Sequence, residues 1–313
     1  MALRLPSVRA AGVGAALSAL AAFLAVGLLG VRGYVDNFLL YRGFPPPREP
    51  EFVKHPGTLV KVGVPSPALG GRRQETYVYL PPGYSSHPHE RYPVLYLLHG
   101  IPGRPLAFIQ TVQMGVVEDT LTTLRRAKPL ILVMPFGSTG SFTDKEWANG
   151  VGAGNGWGTF VTRDLRRYVD AHYRTLASRA GRAIGGLSEG GYGAINLAVQ
   201  HPHLYSVVES WSGYVKPDPL RSIFGPKLQL LPRNDPTLRL TRVAPELRRL
   251  GTYFWFYSGT EDRFRVQNRA FARRLTRLGI PNLFFEIHGG HNWALWRKHA
   301  AAAYEVAAGR LRA

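Results

Sequence analysis

Short apolar runs alternate with amphipathic segments from Thr76 to the end of the chain. The apolar runs are typical of buried strands, and they are TYVYL (76–80), VLYLLH (94–99), LILVMP (130–135), RAIGG (182–186), SVVESW (206–211), TYFWFYS (252–258) and LFFEIH (283–288). Between them, apolar residues recur at helical spacing over about 114–127, 159–176, 190–200, 266–279 and 292–311. This alternation predicts an α/β fold with a mostly parallel central sheet and helices on both faces. The insert from Gly213 to Gly251 is rich in Pro and Arg. It is expected to lack regular secondary structure and to lie over the functional site of this fold.

A second hydrophobic pattern lies near the amino terminus. Ala10 to Val31 is an uncharged run that is long enough to cross a bilayer as one helix. It continues into RGYVDNF without a small-x-small cleavage site, which favours an uncleaved membrane anchor over a cleaved signal peptide. The first reading places the rest of the chain at the outer face of the cell membrane, and the second makes it a secreted protein. Basic residues flank the run almost evenly, with Arg4 and Arg9 before it and Arg32 and Arg42 after it, so they do not set its orientation.

These patterns divide the chain into three parts. Residues 1–31 are expected to form the anchor or signal segment, and residues 76–313 are expected to form the α/β domain that carries the function. Residues 32–75 contain GFPPPREPEF, whose prolines favour an extended spacer, and are expected to be a linker and lead-in.

Composition narrows the possible chemistry. Hydrophobic residues make up 45% of the chain, which is enough for a substantial core. The absence of Cys excludes disulfides, thiolate catalysis and Cys-ligated metal. The net charge of +19 is compatible with an anionic surface. No nucleic-acid-binding motif accompanies it, so an anionic envelope surface is the expected partner and nucleic acid is not.

The stretch RAIGGLSEGGYGA (182–194) has the features of a nucleophile elbow. Ser188 is preceded by a short apolar run and followed by a helical pattern, as a strand–turn–helix elbow requires. Gly186 and Gly190 lie two residues before and after it, where any side chain would collide across the tight turn. The pattern therefore predicts that Ser188 is a catalytic nucleophile.

A serine nucleophile needs a base and an acid that orients the base. In α/β hydrolases these follow the serine in the order acid, then histidine, on loops after strands. The loop GTEDRF offers Glu261 and Asp262, between which this pattern does not choose. The loop HGGHNW offers His288 and His291, and we predict His291 because it lies past two glycines on a loop that can reach the elbow.

An acyl-transfer site also needs donors for the oxyanion. One is expected to be the backbone N–H of Glu189, the residue after the nucleophile. The loop HGIPG (99–103) is expected to give the other from Ile101, since Pro102 has no N–H. His99, at the end of a buried strand, is expected to bond locally rather than to act as a base.

No cofactor and no metal are expected. The pairs His87/His89 and His201/His203 have no accompanying carboxylate cluster or metalloprotease motif, and are interpreted as surface histidines.

Over about 76–300 the sequence resembles the esterase family that includes S-formylglutathione hydrolase (esterase D), bacterial feruloyl esterases and secreted mycolyltransferases. The matching stretches are YLPPGY, YPVLYLLHG, WANG (147–150), FVTRDLRRYVDAHYRT, GGLSEGGYGA, SWSG, NDP, SGTEDRF and GGHNW. The resemblance implies an α/β-hydrolase fold, places the acid at Asp262 and the base at His291, and departs at Glu189. A carboxylate at that position is expected to disfavour anionic substrates.

The sequence thus predicts a serine carboxylic-ester hydrolase acting through an acyl-enzyme on a small-molecule, lipid or sugar ester. Two alternatives stay open. The first is an acyltransferase similar to the mycolyltransferases, with the same triad. The second is a non-enzymatic envelope-binding protein on a hydrolase scaffold, which has no need of Ser188, Asp262 and His291 together.

Overall fold

The computed structural model describes residues 8–140 and 142–312. Its strands are β1 (Thr58–Ser66), β2 (Arg72–Leu80), β3 (Val94–Leu98), β4 (Ile131–Pro135), β5 (Arg182–Gly186), β6 (Val207–Trp211), β7 (Tyr253–Gly259) and β8 (Asn282–Ile287). Its helices are α1 (Val8–Tyr41), α2 (Ala107–Gln110), α3 (Met114–Thr123), α4 (Trp157–Thr159), α5 (Arg166–His172), α6 (Glu189–Gln200), α7 (Arg221–Phe224), α8 (Pro236–Arg249), α9 (Arg265–Arg277) and α10 (Trp293–Arg310). A π-helical turn, Phe160–Leu165, joins α4 to α5, and short 3₁₀ turns occupy Pro67–Leu69 and Leu231–Asn234.

One eight-stranded sheet organises the molecule, in the order β1-β2-β4-β3-β5-β6-β7-β8. The strands from β4 to β8 in this order run parallel, while β1 and β2 pair antiparallel at one edge. The carboxyl ends of the parallel strands therefore meet at one edge of the sheet, where open α/β sheets place their sites.

Successive residues of each central strand pack into different layers. In β3, Val94, Tyr96 and Leu98 face one apolar cluster, whereas Leu95 and Leu97 face the other. Buried residues of α5, α6, α8 and α9 belong to the first cluster, and those of α3 and α10 belong to the second. Burial on both faces explains why these strands are continuously apolar rather than alternating. The predicted sheet with helices on both faces is confirmed.

The linker predicted for residues 32–75 is wrong at both of its ends. Helix α1 continues to Tyr41, and residues 58–66 form β1, which pairs with β2 from Thr58↔Leu80 to Ser66↔Arg72. Gly63 and Pro65 are residue types that are uncommon in strands, so the sequence did not indicate a strand here. Pro65 is tolerated because β1 is the edge strand, where a missing N–H costs no ladder bond on the open side.

The expectation that the insert 213–251 is irregular and hangs over the site is also wrong. Its second half forms α8, which Asp235 caps by accepting hydrogen bonds from the backbone N–H groups of Thr237 (2.8 Å) and Leu238 (3.3 Å). Leu240, Ala244 and Leu247 recur at helical spacing and pack into the core. Pro245 inside the helix conceals this periodicity in the sequence.

Helix α1 contains the apolar run predicted to span a membrane. From Ala15 to Tyr41 it is long and apolar enough to cross a bilayer, with a mean hydropathy of 1.9 and an apolar window that the rest of the protein does not bury. Arg4, one of the basic residues that flank the run, lies outside the described residues. The three-part division of the chain stays a prediction, with its middle part corrected as above.

Candidate active site

Ser188 lies at the tight turn between β5 and α6. Its backbone has φ 54° and ψ −121°, a conformation that side-chain-bearing residues rarely adopt. A Cβ on Gly190 would lie 1.8 Å from the Leu98 carbonyl oxygen, and one on Gly186 would lie 2.4 Å from the same atom. Only glycine fits at these two positions, and the turn presents the serine at the carboxyl edge of the sheet.

The structure brings Ser188, His291 and Asp262 into one hydrogen-bonded chain. His291 Nε2 lies 2.9 Å from Ser188 Oγ, and His291 Nδ1 lies 2.8 Å from Asp262 Oδ2. With Nδ1 protonated, the imidazole donates to the carboxylate and accepts from the serine hydroxyl. This is the arrangement in which a histidine can take the serine proton.

Burial distinguishes Asp262 and His291 from the alternative acid and base nearby in the sequence. The Asp262 side chain is fully buried, whereas Glu261 is exposed. Burial alone raises the pKa of Asp262, but the hydrogen bond and charge of His291, with the Phe264 N–H, bring the pKa of this carboxyl below its ordinary value. His288, the alternative base, is exposed. Asp262 therefore stays ionised at neutral pH, beside the imidazole that it orients.

The loop after β3 passes directly against Ser188. A Cβ on Gly100 would lie 2.9 Å from the Ser188 Cβ, so Ile101 follows at the rim of the same site. Within the described part of the chain, neither the Ile101 nor the Glu189 N–H donates a backbone hydrogen bond to the loops around it. Both predicted oxyanion donors are thus placed beside Ser188, and their role stays a prediction.

His99 has a structural position. Its Nε2 accepts from the Gly137 N–H at 3.0 Å, and its Nδ1 lies 2.9 Å from the Gly100 carbonyl oxygen. Burial lowers the pKa of His99 to about 4, so the ring is neutral. The prediction that His99 bonds locally is confirmed.

The side chain of Glu189 points away from the catalytic cavity. It is 3% exposed and faces the backbone N–H groups of Lys145 and Glu146. Burial, with Asp144 and Glu146 nearby, raises the pKa of Glu189 well above its ordinary value. The expectation that this residue disfavours anionic substrates is therefore wrong, because its carboxyl does not line the cavity and its burial favours the uncharged form.

Ser188 and His291 open into a cavity of about 280 Å³. Apolar groups dominate the walls of this cavity. The walls are formed by the loop after β3, the start of α10 and the end of α1. The residues of α1 in this wall are Tyr34, Asn37, Phe38 and Tyr41. No residue of the insert 213–251 borders the cavity among the described residues.

Sequence reasoning missed the contribution of α1 to this wall. The sequence did contain a recognisable pattern. The i, i+3, i+4, i+7 spacing of one helix face is shared by Tyr34, Asn37, Phe38 and Tyr41. This face follows the apolar run directly, and nothing local in the sequence indicates what it contacts.

The histidine pairs have no metal-site geometry. His87, His89 and His203 are exposed, and His201 is partly exposed. Among residues 8–140 and 142–312, no group of three or more His, Asp or Glu side chains is arranged to hold a metal ion.

Comparisons with known sequences identify the relatives of this chain. The model of a family described as "Putative esterase" matches residues 66–304. An esterase of Mycobacterium tuberculosis is 30% identical over 245 residues, which cover 68% of this chain and 51% of the relative. A protein of Mycolicibacterium smegmatis named diacylglycerol acyltransferase/mycolyltransferase Ag85B is 25% identical over 331 residues, covering 91% of this chain and 92% of the relative. This chain spans about half the length of the M. tuberculosis esterase.

The solved structure of a ferulic acid esterase is similar to this one. It superposes with a TM-score of 0.73 at 22% identity and covers 82% of this chain and 99% of its own. At this identity the likeness shows the fold. The α/β-hydrolase fold predicted from the sequence is confirmed.

Proposed function

This chain belongs to the esterase family that its sequence resembles, and from that premise we propose that it is a serine carboxylic-ester hydrolase. The observation that carries the proposal is the hydrogen-bonded chain from Ser188 Oγ through His291 to Asp262, at 2.9 and 2.8 Å. A fold alone does not imply an activity, whereas three side chains of these types in contact at the carboxyl edge of the sheet support one.

The reaction follows from these contacts. Ser188 Oγ attacks the ester carbonyl carbon while its proton passes to His291 Nε2. The N–H groups of Glu189 and Ile101 stabilise the oxyanion. The carbon–oxygen bond to the alcohol then breaks, and the alcohol leaves with the proton from His291. Water, deprotonated by the same histidine, releases the acid from the acyl-enzyme. Asp262 orients the imidazole and stabilises its charged form.

Covalent labelling by a fluorophosphonate tests the nucleophile. We expect the full chain to be labelled at Ser188, and Ser188→Ala to lose both the label and ester hydrolysis. Ser206→Ala is the matched control, because Ser206 precedes β6 at the opposite edge of the sheet, and it should be labelled like the wild type. Equal labelling of Ser188→Ala would overturn the assignment. A wild-type chain that neither reacts nor hydrolyses any ester would favour the non-enzymatic envelope-binding alternative.

Acyl transfer is the second candidate function. The M. smegmatis relative, named as an acyltransferase, aligns with 91% of this chain. A transferase uses the same triad and passes the acyl group to a bound alcohol in place of water. Product analysis with and without an added sugar or lipid alcohol separates the two. The hydrolase proposal expects free acid in both cases, and a new ester as the main product would favour transfer.

We further propose that α1 anchors the protein in the cell membrane, with the catalytic domain at the outer face. Its apolar length and unburied side chains support an anchor. Removal of the segment as a signal, with secretion of the remainder, is the competing outcome.

A further inference from the structure

Helix α1 has two parts with different surroundings. From Ala15 to Val31 every residue is exposed, and Phe23, Leu28 and Val31 are 76%, 70% and 62% exposed. From Tyr34 to Tyr41 one face of the same helix forms a wall of the cavity that contains Ser188. The anchor and the active site are therefore joined by one continuous helix.

The second part is fastened to the catalytic domain. The Trp293 N–H, two residues after His291, donates to Asn37 Oδ1 at 3.0 Å. The rings of Tyr41 and Trp293 lie 5.7 Å apart, and Thr111 Oγ1 donates to the Tyr41 carbonyl oxygen at 3.3 Å. These contacts hold the helix end at a fixed position beside the catalytic histidine.

The geometry of an α-helix sets the distance from the membrane to the cavity. The run from Ala10 to Val31 is about 33 Å long at 1.5 Å per residue, close to the thickness of the hydrocarbon core. Tyr34 follows Val31 by about 4.5 Å along the axis, and Tyr41 by about 15 Å. With α1 as the membrane anchor proposed above, the cavity wall would lie in the headgroup region. Tyr34, which is 75% exposed, has the position of an interfacial aromatic residue.

The size of the cavity limits what it can enclose. Its volume of about 280 Å³ lies just below the range for small-molecule sites, about 300–1,000 Å³. It holds an ester group and the atoms around it, but not several long acyl chains as well. The exposed apolar surface of α1 continues away from the cavity into the bilayer, where such chains are already solvated.

We propose that the substrate is an ester of a membrane-resident amphiphile, which reaches Ser188 along α1 while its long chains stay in the bilayer. This inference rests on the proposed hydrolase function and names the class of its substrate. The helix serves as both anchor and cavity wall, and it keeps the nucleophile at the depth where lipid ester carbonyls lie. The chemical step is the acyl transfer to Ser188 described above, with water as the second reactant.

The experiment uses the full chain in vesicles of phosphatidylcholine and phosphatidylglycerol. Two ester substrates that share the same leaving group are compared. Methylumbelliferyl acetate is presented from water, and methylumbelliferyl palmitate is dissolved in the bilayer. A seven-residue helix-forming insert with Glu and Lys, placed between Gly33 and Tyr34, raises the domain by about 10 Å and turns it by only about 20°. The same seven residues inserted between Arg48 and Glu49 are the matched control. These two residues are exposed and follow the docked end of α1, so the height of the cavity is unchanged.

We expect the insert at Gly33 to lower palmitate turnover by at least about tenfold relative to the insert at Arg48, because the reacting atoms are displaced from the carbonyl. Acetate turnover should be equal in the two chains, which also shows that both are folded. If palmitate turnover is the same in both, the inference is overturned. Wild-type hydrolysis of acetate but not of bilayer palmitate would overturn it too, with the hydrolase proposal intact. Hydrolysis of neither ester would instead refute the hydrolase proposal.

A pair of substitutions covers the case in which the insert at Gly33 prevents folding. Phe38 lines the cavity and is 45% exposed, whereas Leu39 lies outside the cavity lining and is 42% exposed. Phe38→Ala should raise KM for the bilayer ester at least about threefold over Leu39→Ala, as expected when one large apolar contact is removed. An equal KM for the two variants would contradict a substrate path along this face of α1.

Discussion

At the residue scale, the site depends on which of two adjacent carboxylates turns inward. Glu261 and Asp262 lie in a tight turn after β7, in which the Asp262 N–H donates to the Gly259 carbonyl oxygen at 3.1 Å. The structure buries the Asp262 side chain against His291 and leaves Glu261 exposed. Asp262 Oδ1 also accepts a hydrogen bond from the Phe264 N–H at 2.8 Å, while Oδ2 faces His291 Nδ1. Each carboxylate oxygen therefore has its own hydrogen-bond partner.

Replacing each carboxylate by its amide separates their roles. In Asp262→Asn the amide oxygen keeps the Phe264 contact, which turns the NH₂ group towards His291 Nδ1 and favours the tautomer that cannot accept the serine proton. We expect kcat to fall by about 10³–10⁴-fold. Glu261→Gln removes a solvated charge and should change kcat by less than about tenfold.

Both variants should be assayed on one soluble ester at several pH values, with thermal melts as the check on folding. A crippled Glu261→Gln beside a nearly normal Asp262→Asn would show that the third member of the triad is misassigned.

At the element scale, the turn from β5 to α6 is the feature that presents Ser188, the proposed nucleophile. It bends so tightly that the start of α6 lies against the end of β3, where Gly190 meets the Leu98 carbonyl. The strained backbone of Ser188 is maintained because these two buried strands and the helix fix both ends of the turn. The elbow is therefore a property of three packed elements rather than of the serine alone.

A methyl group at Gly190 tests this packing. In Gly190→Ala the new Cβ would lie 1.8 Å from a backbone oxygen, which neither the sheet nor the helix can relieve by a rotamer change. We expect the free energy of unfolding to fall by roughly 4 kcal/mol or more. Gly309→Ala is the control, because Gly309 lies in α10 with open space around it and should gain up to about 1 kcal/mol of helix propensity.

Thermal melts of the two variants in detergent should differ accordingly. A melt of Gly190→Ala at the wild-type temperature would mean that the elbow is looser than the structure indicates.

At the scale of the whole molecule, one long helix joins a membrane-spanning length of chain to the wall of the active site. The protein buries none of the apolar window of α1, whereas residues 34–41 are docked beside α10. Removal of a signal near residue 33 would leave the docked part without its anchor. An uncleaved chain keeps both parts together.

Membrane retention distinguishes these two forms. We expect the full chain to stay in the membrane fraction after a carbonate wash, and the double variant Leu24→Arg, Leu28→Arg to be released, because each arginine costs about 2.5–3.5 kcal/mol at the bilayer centre. Leu238→Arg, on the exposed face of α8, is the control and should be retained. A soluble wild-type product whose amino terminus lies near residue 33 would show cleavage instead.

Local pattern was enough to predict most of the fold and part of the site. The seven predicted strands match β2 to β8 to within four residues at each end, because strands buried on both faces are continuously apolar. The glycines around Ser188 predicted the elbow, since steric limits at a tight turn act between residues close in sequence. The order of Ser188, Asp262 and His291 placed all three on loops at one edge of a parallel sheet.

Tertiary structure decided what depends on residues far apart in the chain. The edge strand β1 is recognisable only through its pairing with β2, and α8 only through its burial against α6 and α9. The side chain of Glu189 is buried beside the backbone N–H groups of Lys145 and Glu146 rather than in the cavity wall. Asn37 meets Trp293 across 256 positions, and no local pattern in either segment indicates that contact. The sequence by itself determined most of the elements and their order, while packing decided that the apolar helix α1 forms a wall of the candidate active site.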